Sequence, residues 1–258
     1  METTLECVGL TVAVNGRTLV ERLNLSLTAG TIVCILGPNG VGKTLTLHTL
    51  AGLRASQGGD VRLHGRAMAD LDRPDIARRL GLLLQNQEDA FPTTVLETTL
   101  MGCHPRLNFW QWETSADIEM ARAALRSMDL ADLSHRMTAT LSGGERQRLA
   151  LSMLLVQDPD VMLLDEPMNH LDPLHKLAVL EKLAALADQG KTILATLHDP
   201  VLAARYSRAV LLLFGNGSWD FGPTDAMLTP EKLERLYGTP FVAYTRDNQS
   251  VLVPAPAR

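Results

Sequence analysis

The segment Gly37-Pro38-Asn39-Gly40-Val41-Gly42-Lys43-Thr44 joins a glycine-rich turn to a cation and a hydroxyl. That combination suits a nucleoside triphosphate. Glycines let successive backbone N–H groups turn toward phosphate oxygens, Lys43 can reach the β and γ phosphates, and the Thr44 hydroxyl can ligate magnesium. The strand-like run Thr31 to Leu36 precedes it and a helix is expected over Thr44 to Leu50, so a positive helix start would face the anion. A plain glycine turn capping a helix is the alternative, and with Gly at about 7% of an average sequence the full pattern outweighs it.

A second anchor is Val161-Met162-Leu163-Leu164-Asp165-Glu166-Pro167, four apolar residues ending in two carboxylates. Acids at the carboxyl edge of a buried strand stand where open α/β sheets bind ligands. Asp165 is expected to order a magnesium shell, and Glu166 to polarise an attacking water, because phosphoryl transfer depends on positioning and electrostatics. Taken alone, Asp-Glu-Pro after a strand reads as a solvated turn; the phosphate loop shifts that balance.

The third feature is Leu141-Ser142-Gly143-Gly144-Glu145, ahead of a helix expected over Arg146 to Val156. Ser142 and Glu145 match an S-x-x-E capping box. Capping does not require two consecutive glycines, each costing about 1 kcal/mol against alanine inside a helix. Ser142, Gly143 and Gly144 therefore also read as a second anion-binding helix start.

These groups need a scaffold. The chain has 258 residues, 46% hydrophobic and 21% charged, enough for a real core and unlike a disordered chain. Strands are expected at Gly30 to Leu36, Asp60 to His64, Arg79 to Leu84, Asp160 to Leu164, Thr192 to Thr196 and Ala209 to Phe214, alternating with helices, and such short runs suit parallel central strands. Between Asn86 and Leu141 no strand-like run occurs, and Ile118, Ala121, Leu125 and Met128 recur at helical spacing within Ser115 to Met128. The expected division is core at 1–85 and 142–222, a helical lobe at 86–141, and a C-terminal helix (about Pro230 to Tyr237) and tail at 223–258. The aromatic run Phe109-Trp110-Gln111-Trp112 reads as exposed or as partly core. Gly215-Asn216-Gly217-Ser218 marks a hairpin.

Other classes fall away. No apolar run approaches the roughly 18 residues of a membrane span, and the acidic start Met1 to Glu6 lacks the order of a secretory signal, so a cytoplasmic protein is expected. Cys7, Cys34 and Cys103 offer neither a disulfide framework nor a metal pair, and Cys34 reads as a small core residue. With 24 basic against 29 acidic residues the net charge is -5, which argues against nucleic acid as a partner.

In their order and type, the phosphate loop, Leu-Ser-Gly-Gly-Glu and Leu-Leu-Asp-Glu-Pro resemble the nucleotide-binding subunit of ABC transporters, over about Leu5 to Val242. The resemblance implies a P-loop NTPase sheet core with an inserted helical lobe, binding ATP and Mg2+. It further implies a head-to-tail homodimer in which each ATP lies between one copy's phosphate loop and the other's Ser142 to Glu145. Gln85 resembles the glutamine that touches magnesium and the attacking water, although a polar strand end is its plain reading. Asn169-His170-Leu171-Asp172 resembles the loop crossing the dimer interface, while Asp172 before Pro173 is also a good helix N-cap. His198 resembles the histidine that contacts the γ-phosphate. Two positions depart: Val14 stands where an adenine-stacking aromatic is common, and Glu145 where glutamine is common. Phe91 to Glu97, Met101 to Arg106, Leu228 to Leu233 and Leu236 to Gly238 are similar to importers of iron-siderophore complexes, haem and cobalamin. That similarity implies integral membrane permease subunits, indirectly a substrate-binding protein, and a place on the inner face of the membrane. A soluble ATPase of iron-sulfur cluster assembly is the alternative, and a nucleotide sensor without hydrolysis a further one. No Asn-Lys-x-Asp segment supports a GTPase, and there is no room for the coiled coils or zinc insertions of DNA-repair relatives.

Overall fold

The computed structural model describes residues 2–85, 92–108, 110–246 and 249–255, the side chains of 245–250 excepted. The chain opens with two long antiparallel strands, β1 (Thr3–Val14) and β2 (Arg17–Thr28). They turn at Asn15-Gly16, both at positive φ, as a two-residue hairpin with right-handed twist requires. Then follow β3 (Ile32–Leu36), α1 (Lys43–Leu50), β4 (Gly58–Leu63), β5 (Arg66–Ala67), α2 (Arg73–Arg79) and β6 (Leu80–Leu83). Helices α3 (Val95–Leu100) and α4 (Ser115–Ser127) come next, both started by capping boxes, at Thr94/Glu97 and Thr114/Asp117. The rest is α5 (Gly143–Gln157), β7 (Val161–Leu164), α6 (Pro173–Asp188), β8 (Thr192–Thr196), α7 (Pro200–Tyr206), β9 (Ala209–Leu213), β10 (Trp219–Pro223), α8 (Thr224–Met227), α9 (Pro230–Tyr237), β11 (Phe241–Arg246) and β12 (Gln249–Pro254).

The main sheet runs β10-β9-β3-β8-β7-β6, parallel except for the edge strand β10. Its central strands are apolar on both faces. Ile32, Cys34 and Leu36 join a cluster with α5 and α6, while Val33 and Ile35 join one with β1, β2 and α1. β7 repeats the split, with Met162 and Leu164 on one side and Val161 and Leu163 on the other. Each fully buried leucine in such a layer contributes about 2 kcal/mol. The α/β expectation and the hairpin after Phe214 hold, and Cys34 is a buried core residue whose thiol burial pushes to about 12.

Three expectations change. The run expected at Asp60 to His64 is β4, ending at Leu63, of a second, antiparallel sheet, β2-β1-β4-β5, and not of the parallel one. The segment after Tyr237 is no bare tail: Phe241–Arg246 and Gln249–Pro254 pair as a hairpin. Trp110 and Trp112 are 88% and 84% exposed, so neither is core; Phe109, Asn86 and Phe91 lie outside the described residues. From Pro92 to Leu141 the described residues form helices and turns with one isolated bridge, Thr94 to Met137. Arg106 and Arg148 tie that region to α5, Arg106 donating to the Val156 carbonyl at 2.6 Å and Arg148 to that of Met128 at 3.0 Å. Among the described residues no helix is long and apolar enough to cross a membrane.

Candidate functional site

Parallel strands end on one edge, and here that edge gathers the chemistry. The loop Gly37 to Gly42 follows β3, Gln85 follows β6, Asp165 and Glu166 follow β7, and His198 follows β8. The Gly37–Thr44 segment turns into α1 through Gly42 at φ 106, a conformation that favours glycine. No side chain caps α1, whereas every other described α-helix of six or more residues has a side-chain acceptor at its N-cap. Its first-turn N–H groups are thus left for a ligand. Lys43 is buried, its Nζ donating to the Gly37 and Pro38 carbonyls at 2.8 and 3.1 Å. Burial draws its ammonium below the usual lysine value, partly opposed by the charges of Glu166 and Asp165. Gly40, Lys43, Thr44, Gln85 and Glu166 share a cavity of about 310 Å³ whose wall also includes Val14.

Glu166 is gripped from several sides. Its Oε1 lies 2.7 Å from His198 Nε2, and its Oε2 accepts from Gln85 Nε2 at 2.9 Å and from Asn169 Nδ2. Burial pushes the Glu166 carboxyl up, but the hydrogen bond and charge of His198, the Asn169 amide and the Lys43 charge outweigh it and hold it below the usual glutamate range. It is ionised at neutral pH and able to orient a water. Asp165 is fully buried: Oδ1 accepts from Thr196 Oγ1 at 2.8 Å, and Oδ2 has no partner. A buried orphan carboxylate oxygen calls for a cation or its water. Together with the Thr44 hydroxyl and the Gln85 amide it makes a hard-oxygen donor set that fits magnesium.

The second helix start differs. Ser142 caps α5, its Oγ accepting from Glu145 N at 3.3 Å while Glu145 Oε2 accepts from Ser142 N at 2.7 Å. The two glycines have a reason that sequence did not reveal. A Cβ on Gly144 would lie 2.9 Å from the His170 carbonyl oxygen, and one on Gly143 would lie 3.3 Å from His170 Cβ. They let α5 rest on the loop after β7. Ser142, Gly143 and Asp172 are exposed, away from their own chain's loop 37–44 cavity. Asp172 does cap α6, its Oδ1 accepting from His175 N at 2.9 Å.

The strand-edge residues Lys43, Thr44, Gln85 and Glu166 come together, with Asp165 beneath and His198 on Glu166; the Ser142 segment stands apart. Sequence reasoning missed Thr196, whose hydroxyl bridges Asp165 and the Glu166 N–H, the latter at 2.7 Å. It missed Gln147, which donates to the Glu166 carbonyl at 3.3 Å, and the Asn169 contact. Gln147 left a signal: a polar residue on the stripe of α5 that also buries Ala150, Leu151 and Leu154.

Residues 20–169 match the family model described as ABC transporter. The chain is 38% identical to the hemin import ATP-binding protein of Pseudomonas putida, over 91% of this chain and 92% of that protein. It is 34% identical to the manganese transport system ATP-binding protein of Bacillus subtilis, over 90% and 92%, and 33% identical to a siderophore transport system ATP-binding protein of the same organism, over 85% and 80%. Among solved structures, a chain described as a metal-chelate type ABC transporter in an inward-facing conformation superposes with a TM-score of 0.85 at 27% identity, covering 98% of both. A nucleotide-free ATP-binding cassette, at 20% identity and a TM-score of 0.77, shares the fold.

Proposed function

The chain belongs to the ABC transporter family, as an ATP-binding cassette that hydrolyses ATP, and from that premise we propose that it powers uptake of a metal chelate of the iron-siderophore, haem or cobalamin type through separate membrane permease subunits. The names of its relatives and its likeness to a metal-chelate transporter support that cargo class. Because those relatives match over most of the chain, a transport role is favoured over iron-sulfur cluster assembly.

In this reading residues 1–85 and 142–222 form the nucleotide-binding core, 86–141 the lobe that meets the permease, and 223–258 a C-terminal appendage. Two copies pair head to tail, so that each ATP lies between the loop 37–44 of one and Ser142 to Glu145 of the other, with Asp172 at the crossing. The exposed Ser142 and Gly143 support this arrangement, since a helix start that stands clear of its own chain's loop 37–44 cavity can complete one in a partner. The N–H groups of Gly40 to Thr44 and Lys43 hold the phosphates. Magnesium, held by Thr44, Gln85 and Asp165, would neutralise charge developing on them. Glu166 orients and deprotonates the attacking water, His198 holds Glu166 and contacts the γ-phosphate, and Gln85 links the water to the lobe. The protein then works in the cytoplasm, docked on the inner face of the membrane beneath the permease, with a substrate-binding protein on the far side.

One observation carries the assignment: an ionised carboxylate, fixed by His198 and Gln85, on the wall of the cavity that Lys43 and Thr44 also line. Glu166→Gln should reduce turnover by roughly 100- to 10,000-fold, the worth of a positioned general base, and leave ATP binding intact. Turnover near the parent's would reject that role. The same variant should dimerise in ATP and magnesium, read by size-exclusion chromatography.

A further inference from the structure

Two contacts within one chain join α5 to the loop after β7. At the helix start, Gly143 and Gly144 rest on His170. One turn later the buried Gln147 donates from Nε2 to the main-chain oxygen of Glu166 at 3.3 Å. The same oxygen accepts from Asn169 N at 3.1 Å, and the Glu166 N–H donates to Thr196 Oγ1 at 2.7 Å. Between these bonds Glu166 holds φ 50, a backbone conformation that a glutamate keeps only when its surroundings enforce it. Gln147 is the one member of this grip that comes from α5, the helix whose first residues are exposed for a partner.

We propose that Gln147 is a positioning residue: it helps hold Glu166 in its left-handed conformation and makes the aim of that carboxylate depend on the position of α5. The inference rests on the head-to-tail dimer proposed above. A nucleotide bound by the partner's loop pulls on Ser142 and sets α5; Gln147 passes that setting to the carboxylate serving this chain's own nucleotide. Each site thereby reports its occupancy to the other, and such coupling is reciprocal. Gln147 is buried and does not line the cavity of Lys43 and Thr44, so its loss should leave binding alone and misplace the base.

The test is steady-state ATP hydrolysis by the full chain, titrated with ATP at saturating magnesium. In Gln147→Met, which keeps length and loses the donor, kcat should fall roughly ten- to a hundredfold, the scale of a misplaced catalytic group. KM for ATP should stay within about twofold, and the Hill coefficient should fall from above unity toward unity. Parental kcat and Hill coefficient in a folded Gln147→Met overturn the proposal. If that variant does not fold, Gln147→Asn, polar but too short to reach the carbonyl, takes its place with the same expected and overturning results. ATP-driven dimerisation of Glu166→Gln separates the two readings. A protein that stays monomeric there rejects the head-to-tail dimer and this inference with it; one that dimerises while Gln147→Met keeps parental kinetics rejects only the role of Gln147.

Discussion

Two helix starts in this chain match anion-binding patterns, and they are built in opposite ways. α1 begins at a glycine with no side-chain cap, over a buried lysine, beside a cavity in its own chain. α5 begins at an exposed serine whose capping box already occupies its own donors, and its glycines serve a contact with His170. The first is a finished half-site left open for ligand. The second is a stable helix end that becomes a binding surface only where something else supplies the opposite wall. The difference assigns the two starts different energetics: changes at α1 should alter ligand affinity, and changes at α5 should first alter folding.

The sharpest break of that comparison is Lys43→Ala. Charge-assisted hydrogen bonds of about 1.5–3 kcal/mol would be lost, so ATP affinity should drop roughly ten- to a hundredfold. Isothermal titration reads this directly, and an unchanged curve would remove the phosphate cradle from α1. At α5 the corresponding change is Gly144→Ala, which drives a methyl against the His170 carbonyl. Overpacking of that kind costs about 1–3 kcal/mol, hence a melting temperature lower by roughly 2–10 °C without nucleotide. A variant as stable as the parent would mean that the glycines serve only a ligand.

Much of this scaffold was legible because parallel central strands are short apolar runs with both faces buried. Thr192 to Thr196 matches β8 residue for residue, and the strands ending at Leu36, Leu84, Leu164 and Phe214 were found to within two residues at each end. β1 and β2 escaped for a physical reason. They are amphipathic strands of 12 residues, and register shifts around Val8 to Ala13 interrupt the period-two alternation that would have marked them. Asn15-Gly16 at the turn was the signal that could have marked the hairpin, and it went unread. In the site, residues belonging to local patterns were legible: the phosphate loop, the paired acids, the capping box. Thr196 and Gln147 were not, because each acts across a distance that only the sheet and the α5 packing create, 30 residues from Glu166 in one case and 19 in the other. Glycines 143 and 144 were noticed for the right reason, an unexplained cost, but their contact lies in a loop more than 25 residues downstream.

Ser142→Ala sharpens the comparison with a smaller effect. Losing an N-cap hydroxyl costs about 1 kcal/mol, seen as a modest fall in melting temperature. ATP titration of the monomer should not change, while dimerisation in a Glu166→Gln background should weaken. A loss of monomer affinity as large as that of Lys43→Ala would place both helix starts on one nucleotide and end the distinction between them.

The smallest effect tests the cap itself. The backbone hydrogen bond from Ser142, then its side chain, and the charges of Arg136 and Arg148 hold the Glu145 carboxyl below the usual glutamate range against a small opposing effect of burial. A carboxyl lowered in the folded state contributes stability that is fully present above its unfolded value, about 4.3, and is lost as pH falls through the lowered folded value. Glu145→Gln keeps an acceptor for the Ser142 N–H but discards the charge at a positive helix start, worth about 0.3–1 kcal/mol at an exposed site. Parent and variant should therefore differ slightly in denaturant midpoint at pH 7 and converge as the solution is taken below about pH 4. At α1, with no carboxylate cap to protonate, no such convergence is expected from any substitution in Gly37 to Gly42. A Glu145→Gln difference that persisted undiminished at low pH would show that the glutamate acts at α5 through packing, and the helix start would then be held by shape where its hydrogen bonds indicate charge.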